Sequence, residues 1–332
     1  MSTTRPASST TGPTASWRRL AALPSNFFAI PFGLGGLAVS WRAAEPILAL
    51  PHGVADGLFL LASVAWGVLV FGLVARLLDS PSTVGAELRD PVLSPFTALP
   101  GLVLLVLAAG LLPHAAGPAK VTALIAVAIV IALGGWLTGQ WIAGELDTAR
   151  LHPAYFLPTV AGGFLGANVA ALAGHRTIAW LCFGIGTISW MQIGSTILNR
   201  LFLGPPLAAA LVPTLAIEVA PPAVAGNAYF ALHHGPDDVV TYALAGFCVL
   251  MVLVQVRLLP LYRAAPFAAT FWSFTFSYTA VATYALNWIG HGHPGHERLL
   301  AWVTLVAITA LVAAIAACSL RAVAAGRFFP VA

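Results

Sequence analysis

The sequence predicts an all-α integral membrane protein, with ten transmembrane helices arranged as five helical hairpins in a pseudo-fivefold ring around a central pore. Hydrophobic residues make up 59% of its 332 positions and charged residues only 8%, against roughly 25% charged in an average soluble domain. Ten apolar runs separate the charged residues, each long enough at about 1.5 Å per residue to cross a hydrocarbon core of roughly 30 Å. Prolines well inside those runs fall only in alternate ones and recur about every sixty residues, the length of one helical hairpin with its loops.

Segment one, 20–41, holds Pro31 followed by Gly33, Gly35 and Gly36, and segment two, 57–75, has no proline. Segment three, 91–119, holds Pro95, Pro100 and Gly101; segment four, 121–144, is mostly Ala, Val, Ile and Leu. Segment five, 151–175, has Pro158 with Gly162, Gly163 and Gly166, and segment six, 177–199, has none. Segment seven, 201–236, is interrupted by Glu218 and carries Pro213, Pro221, Pro222 and Gly226; segment eight, 239–256, lacks proline. Segment nine, 264–296, reaches the fifth expected break near 280 without one and reads Phe271-Trp272-Ser273-Phe274-Thr275-Phe276-Ser277-Tyr278. Segment ten, 299–320, closes the series.

A proline inside a helix frees a carbonyl, which lipid tolerates only where protein or a water-filled cavity covers the break. The odd segments are therefore expected to form an inner ring around a pore, with the even segments as its outer wall. Small residues beside the breaks also permit plain close helix packing. Pro31, Gly35, Pro100, Pro158, Gly162, Pro221, Pro222, Ser273 and Phe274 are the candidate pore-lining residues.

With the N-terminus placed in the cytoplasm, eleven of the fifteen basic residues, including Arg5, Arg18, Arg19, Arg76 and Arg200, fall on that side. Arg42, Lys120, Arg176 and Arg298 fall on the other. Such a bias predicts that both termini are cytoplasmic, and it accounts for a pI near 9.3 without a nucleic-acid partner. Residues 1–19, rich in Ser, Thr and Pro, read as a disordered cytoplasmic tail rather than a cleaved signal peptide. Residues 20–321 form the membrane domain and 322–332 a second cytoplasmic tail. Three scattered cysteines, Cys182, Cys248 and Cys318, give no disulfide framework and no metal spacing.

No zinc-hydrolase, nucleophile-elbow or phosphate-loop signature is present, so the chain is not expected to be an enzyme or to carry a cofactor. Eight of the nine histidines map to outer loops; His291, His293 and His296 could offer imidazoles to a metal, but a solvated loop is the plainer reading, and no metal is expected. Glu218 stands alone as a carboxylate inside an apolar run. A charge there costs roughly 2.5–3.5 kcal/mol on insertion scales, so it faces a cavity, a partner, or a proton. One reading makes it a mouth residue, paired with a basic residue such as Arg200 or bonded to freed backbone. The other makes it a protonatable group that couples proton to substrate movement. The scarcity of further embedded acids speaks against a cation pathway, and without buried Lys or Arg an anion would be held by weak fields from hydroxyls such as Ser25, Thr97, Thr159, Ser273 and Thr275.

Three stretches resemble the tellurite-resistance/C4-dicarboxylate transporter family, which includes plant guard-cell slow anion channels and yeast malate and sulfite permeases. They are Leu23-Pro24-Ser25-Asn26-Phe27-Phe28-Ala29-Ile30-Pro31-Phe32-Gly33-Leu34, His152-Pro153-Ala154-Tyr155-Phe156-Leu157-Pro158-Thr159-Val160-Ala161, and Phe271-Trp272-Ser273-Phe274-Thr275-Phe276. The resemblance implies a ten-helix protomer of five hairpins, a pore lined by the odd helices, and a homotrimer in the bacterial inner membrane. It implies small anions or C4-dicarboxylates as permeant species and maps the family's pore-blocking phenylalanine onto Phe276. From its residues alone, Phe276 reads either as a constriction or as a packed core aromatic. A channel-like bacterial member of that family has an apolar residue where Glu218 stands, which leaves a proton-coupled dicarboxylate permease as the alternative. A membrane enzyme or tellurite-modifying protein, and a non-transporting receptor or scaffold, are more distant readings.

Overall fold

The computed structural model describes residues 21–144, 146–233 and 237–329. The tail 1–19, with Arg5, Arg18 and Arg19, and His234 lie outside the described residues. Odd and even segments differ in how they start. Segment one opens with a 3₁₀ turn, Ser25–Phe28, before its α-helix Ala29–Leu48. Segment three opens with Ser94–Ala98 before Leu99–Leu111. Segment five passes from a 3₁₀ turn, Pro153–Phe156, through a π turn, Leu157–Ala161, into Gly162–Leu172. Segment seven opens with Ala209–Val219 before Ala220–His233, and segment nine with Ala269–Trp272 before Ser273–Gly292. The even segments are continuous α-helices: Gly53–Asp79, Ala116–Ala143, Arg176–Leu203, Val239–Ala264 and Glu297–Ala324.

The prolines lie where these changes of geometry occur. Pro31, Pro100, Pro221 and Pro222 occupy the first three positions of their α-helices, where a backbone N–H has no intrahelical acceptor. Each α-helix follows its 3₁₀ turn without a gap, so these prolines mark where the helical geometry changes inside one span, Pro221 and Pro222 midway along Ala209–His233. Segment nine makes the same tight start without an interior proline. Nor are the even helices proline-free, because they outrun the predicted bounds: Pro118 lies in the first turn of the fourth and Pro260 inside the eighth. Charged residues were expected to mark helix ends, yet Arg42, Glu45, Asp56 and Arg76 sit within helices, their polar heads reaching past apolar stems.

In the most apolar stretch of segments one, three, five and seven, 61–83% of residues are buried; in the five even segments the share is 17–33%. The α-helical parts of the odd segments touch in the order one, three, five, seven, nine and back to one, and each even helix packs against its hairpin partner. Glycine permits the closest of these approaches: a Cβ on Gly163 would collide with the backbone of Gly186, so segments five and six meet main chain to main chain. Among the described residues nine helices are long and apolar enough to cross a membrane, which makes this an all-helical, multi-pass membrane protein. Segment nine falls short in hydropathy because Thr275, Ser277, Thr279 and Thr283 interrupt it, and all four are buried.

A short helix, Pro81–Arg89, occupies what the sequence presents as a polar loop. Its buried Glu87 pairs with Arg76 at 2.5 Å and accepts a hydrogen bond from Ser25 N at 2.5 Å. That carboxylate fastens the start of segment one to the end of segment two.

Candidate functional site

Two cavities lie between the odd segments. The larger, about 460 Å³, is at the end of the bundle that carries the hairpin turns; the smaller, about 40 Å³, is toward the tight-turn end. A cavity of the second size holds roughly one water. Among the described residues the lining of both comes from segments one, three, five, seven and nine alone.

Phe276 and Val224 border both cavities. The Phe276 ring stacks on Phe32 with centroids 3.5 Å apart and planes 10° from parallel, and Phe32 lines the smaller cavity. Segment one can approach this closely because position 36 is glycine. A Cβ there would collide with Thr279 Oγ1 and lie 3.0 Å from Phe276 Cδ2. The Thr279 hydroxyl donates to Phe276 O at 2.9 Å.

Of the residues singled out in the sequence, Ser273 and Pro221 line the smaller cavity and Phe276 both. Gly35 and Gly162 face neighbouring helices instead: a Cβ on either would lie 2.9 Å from Val106 Cγ1 and 2.5 Å from Val130 Cγ1, respectively. Pro158 borders a lateral recess among segments four, five and six. Phe274 turns outward onto Tyr262 of segment eight, ring centroids 4.7 Å apart. Pro31, Pro100 and Pro222 are outside both linings. The hydroxyls of Thr97 and Thr275 are committed to Ser94 O and Trp272 O.

Glu218 is buried in the tight-turn stretch of segment seven and lines neither cavity, and among the described residues its Oε1 has no hydrogen-bond partner. Arg200, its expected partner, donates to Pro205 O and Ala149 O instead. Among the described residues no three His, Cys, Asp or Glu side chains are placed to hold a metal; His293 faces Glu297 at 3.9 Å.

The larger cavity has polar features that the sequence reading passed over. Asn168, Asn227 and Asn287 line it. Each is a lone amide in an apolar run, which was the available signal. Arg42 also lines it, paired with Asp56 and, at 3.6 Å, with Glu45. Phe32 went unnoticed as a site residue although it follows Pro31 directly, because its partner is contributed by the other end of the chain.

The family model described as SLAC1, voltage-dependent anion channel, matches residues 22–323. The chain belongs to this family. It is 27% identical over 266 residues to the tellurite resistance protein TehA homolog of Haemophilus influenzae, covering 79% of this chain and 80% of that one. It is 25% identical to the S-type anion channel SLAH3 of Arabidopsis thaliana over 281 residues, and 23% identical to the guard cell S-type anion channel SLAC1 of the same plant over 312. Those matches cover 80% and 89% of this chain but 43% and 55% of the plant proteins, so the chain spans about half the length of its plant relatives. Within the SLAC1 family's matched region lie both cavities and the Phe32–Phe276 pair.

Proposed function

We propose that this protein conducts anions across a bacterial inner membrane through a pore between its odd segments, with Phe276, stacked on Phe32, as the constriction. The ten segments form five hairpins in a pseudo-fivefold ring, both termini are cytoplasmic, and three copies assemble with one pore in each. The observation that carries the reading is that two cavities, lined among the described residues by the odd segments alone, share Phe276 and Val224, with the Phe276 ring stacked on Phe32. Swinging the Phe276 ring aside would join a 460 Å³ cavity to a 40 Å³ one. Permeation then needs no covalent step, only displacement of a ring and passage along weakly polar walls. Small anions and C4-dicarboxylates are the permeant candidates.

A second reading, a proton-coupled dicarboxylate permease, is favoured by Glu218, buried and with a carboxylate oxygen that has no hydrogen-bond partner among the described residues. Voltage-clamp recording of the purified protein in bilayers, with chloride, nitrate or malate and with or without a pH gradient, separates the two. Anion current indifferent to the proton gradient supports the channel. A reversal potential that follows pH, and ceases to do so in Glu218→Gln, supports coupling.

A further inference from the structure

The three asparagines of the larger cavity form one directed chain. Asn168 Nδ2 donates to Asn227 O at 3.1 Å, Asn227 Nδ2 to Ala280 O at 3.0 Å, and Asn287 Nδ2 to Asn227 Oδ1 at 2.9 Å. Carbonyl oxygens only accept, so the first two bonds fix which end of each amide is nitrogen. With the Asn227 nitrogen on Ala280 O, its Oδ1 must face Asn287, which fixes the third. The chain thus ties segments five, seven and nine together and orients three NH₂ groups at the cavity wall. Each nitrogen carries two hydrogens and commits one; among the described residues no acceptor takes the other.

Arg42 adds no net positive field to this wall. Among the described residues it is the one Lys or Arg in the lining, and two carboxylates, Glu45 and Asp56, face it, with His52 Nδ1 3.3 Å away. The wall therefore offers N–H donors without an unpaired guanidinium or ammonium group, and the His291 imidazole lines it as well.

We infer that Asn168, Asn227 and Asn287 form a binding site for a small monovalent anion of the halide or nitrate kind, which the larger cavity holds before it passes the ring pair. Neutral amide donors stabilise a single diffuse charge. A dicarboxylate brings a second charge with its own desolvation cost of several kcal/mol, and no unpaired guanidinium in the lining offsets it. The site selects for low charge by lacking a fixed counter-charge. This rests on the pore reading above.

The test uses the purified full chain in planar bilayers, in a Phe276→Ala background so that the constriction does not mask the site. It reads the half-saturating chloride concentration of the current and the malate-to-chloride permeability ratio. Asn168→Leu and Asn287→Leu are each expected to raise half-saturation about tenfold, the loss of one donor to a charged ligand. Asn287→Gln, which keeps an amide, is expected to stay near the parent. Ala231→Lys adds a cation to the same lining and is expected to raise relative malate permeability about tenfold. It removes no hydrogen bond of the chain, so it decides the matter if an asparagine variant fails to assemble. The site is overturned if chloride half-saturation is unmoved by both leucine variants, if malate permeates the parent as readily as chloride, or if Ala231→Lys leaves the ratio unchanged. If Phe276→Ala itself passes no anion, the pore reading falls and the site with it.

Discussion

Removing either ring of the Phe32–Phe276 stack should open the path between the two cavities, and the two removals should not be independent. The rings lie 3.5 Å apart and nearly parallel, and an aromatic pair is worth about 0.5–1.5 kcal/mol beyond the area it buries. If that contact holds the closed state, its loss alone shifts the open-to-closed ratio by about two- to thirteen-fold. Phe276→Ala also removes the ring that borders both cavities, so its increase should exceed that range. Phe32 is 3% exposed and packs below the constriction, so Phe32→Ala frees Phe276 without deleting it and should stay within the range. Its cost to stability is larger, about 3–5 kcal/mol for a buried phenylalanine, so folded protein must be quantified before currents are compared. The assay is chloride current per reconstituted protein for wild type, each single variant and the double. The double should conduct no more than Phe276→Ala alone, because Phe32 acts only through its partner. A Phe32→Ala current equal to wild type, or single effects that simply multiply in the double variant, would refute the idea that the pair is the gating unit.

Three further outcomes follow from the packing. Gly36→Val should lower stability by about 1–3 kcal/mol, since its Cβ would be driven into Thr279 Oγ1; an unchanged thermal midpoint in detergent would show that segments one and nine are not in contact there. Glu87→Gln should lower stability by leaving the half-buried Arg76 without its counter-charge, and a midpoint equal to wild type would contradict that pairing. Asp238 accepts hydrogen bonds from the Thr241 backbone N–H and from Tyr229 Oη, which hold its carboxyl below the ordinary aspartate value of 3.8. A depressed pKa stabilises fully above that value and is lost as pH falls through the folded-state value. The acid loss of stability should therefore be shallower in Asp238→Asn, and an identical acid limb would remove Asp238 as its source.

The alternation of inner and outer segments was legible in the sequence because it rests on composition: prolines gather in the segments that are 61–83% buried, while aliphatic residues fill those that face outward. A proline pattern marks where a helix is interrupted but not the form of the interruption, which is a passage from 3₁₀ or π turns into α-helix. Segment nine makes that passage with no interior proline. Helix ends were misplaced wherever an arginine or carboxylate reaches out of a helix, as Arg42 and Glu45 do in segment one. The helix Pro81–Arg89 was invisible because a polar stretch of nine residues carries no apolar period. At the site, Phe276 was marked by motif, whereas Phe32 and the asparagine chain exist only through contacts between segments distant in sequence.

The central claim is tested most directly by current through planar bilayers containing the purified Phe276→Ala protein under a chloride gradient, with the pH equal and then unequal on the two sides. The predicted result is a sustained current well above wild type, reversing near the chloride equilibrium potential and unmoved by the pH difference. No anion current from folded Phe276→Ala protein, or a reversal potential that follows the proton gradient, would contradict it.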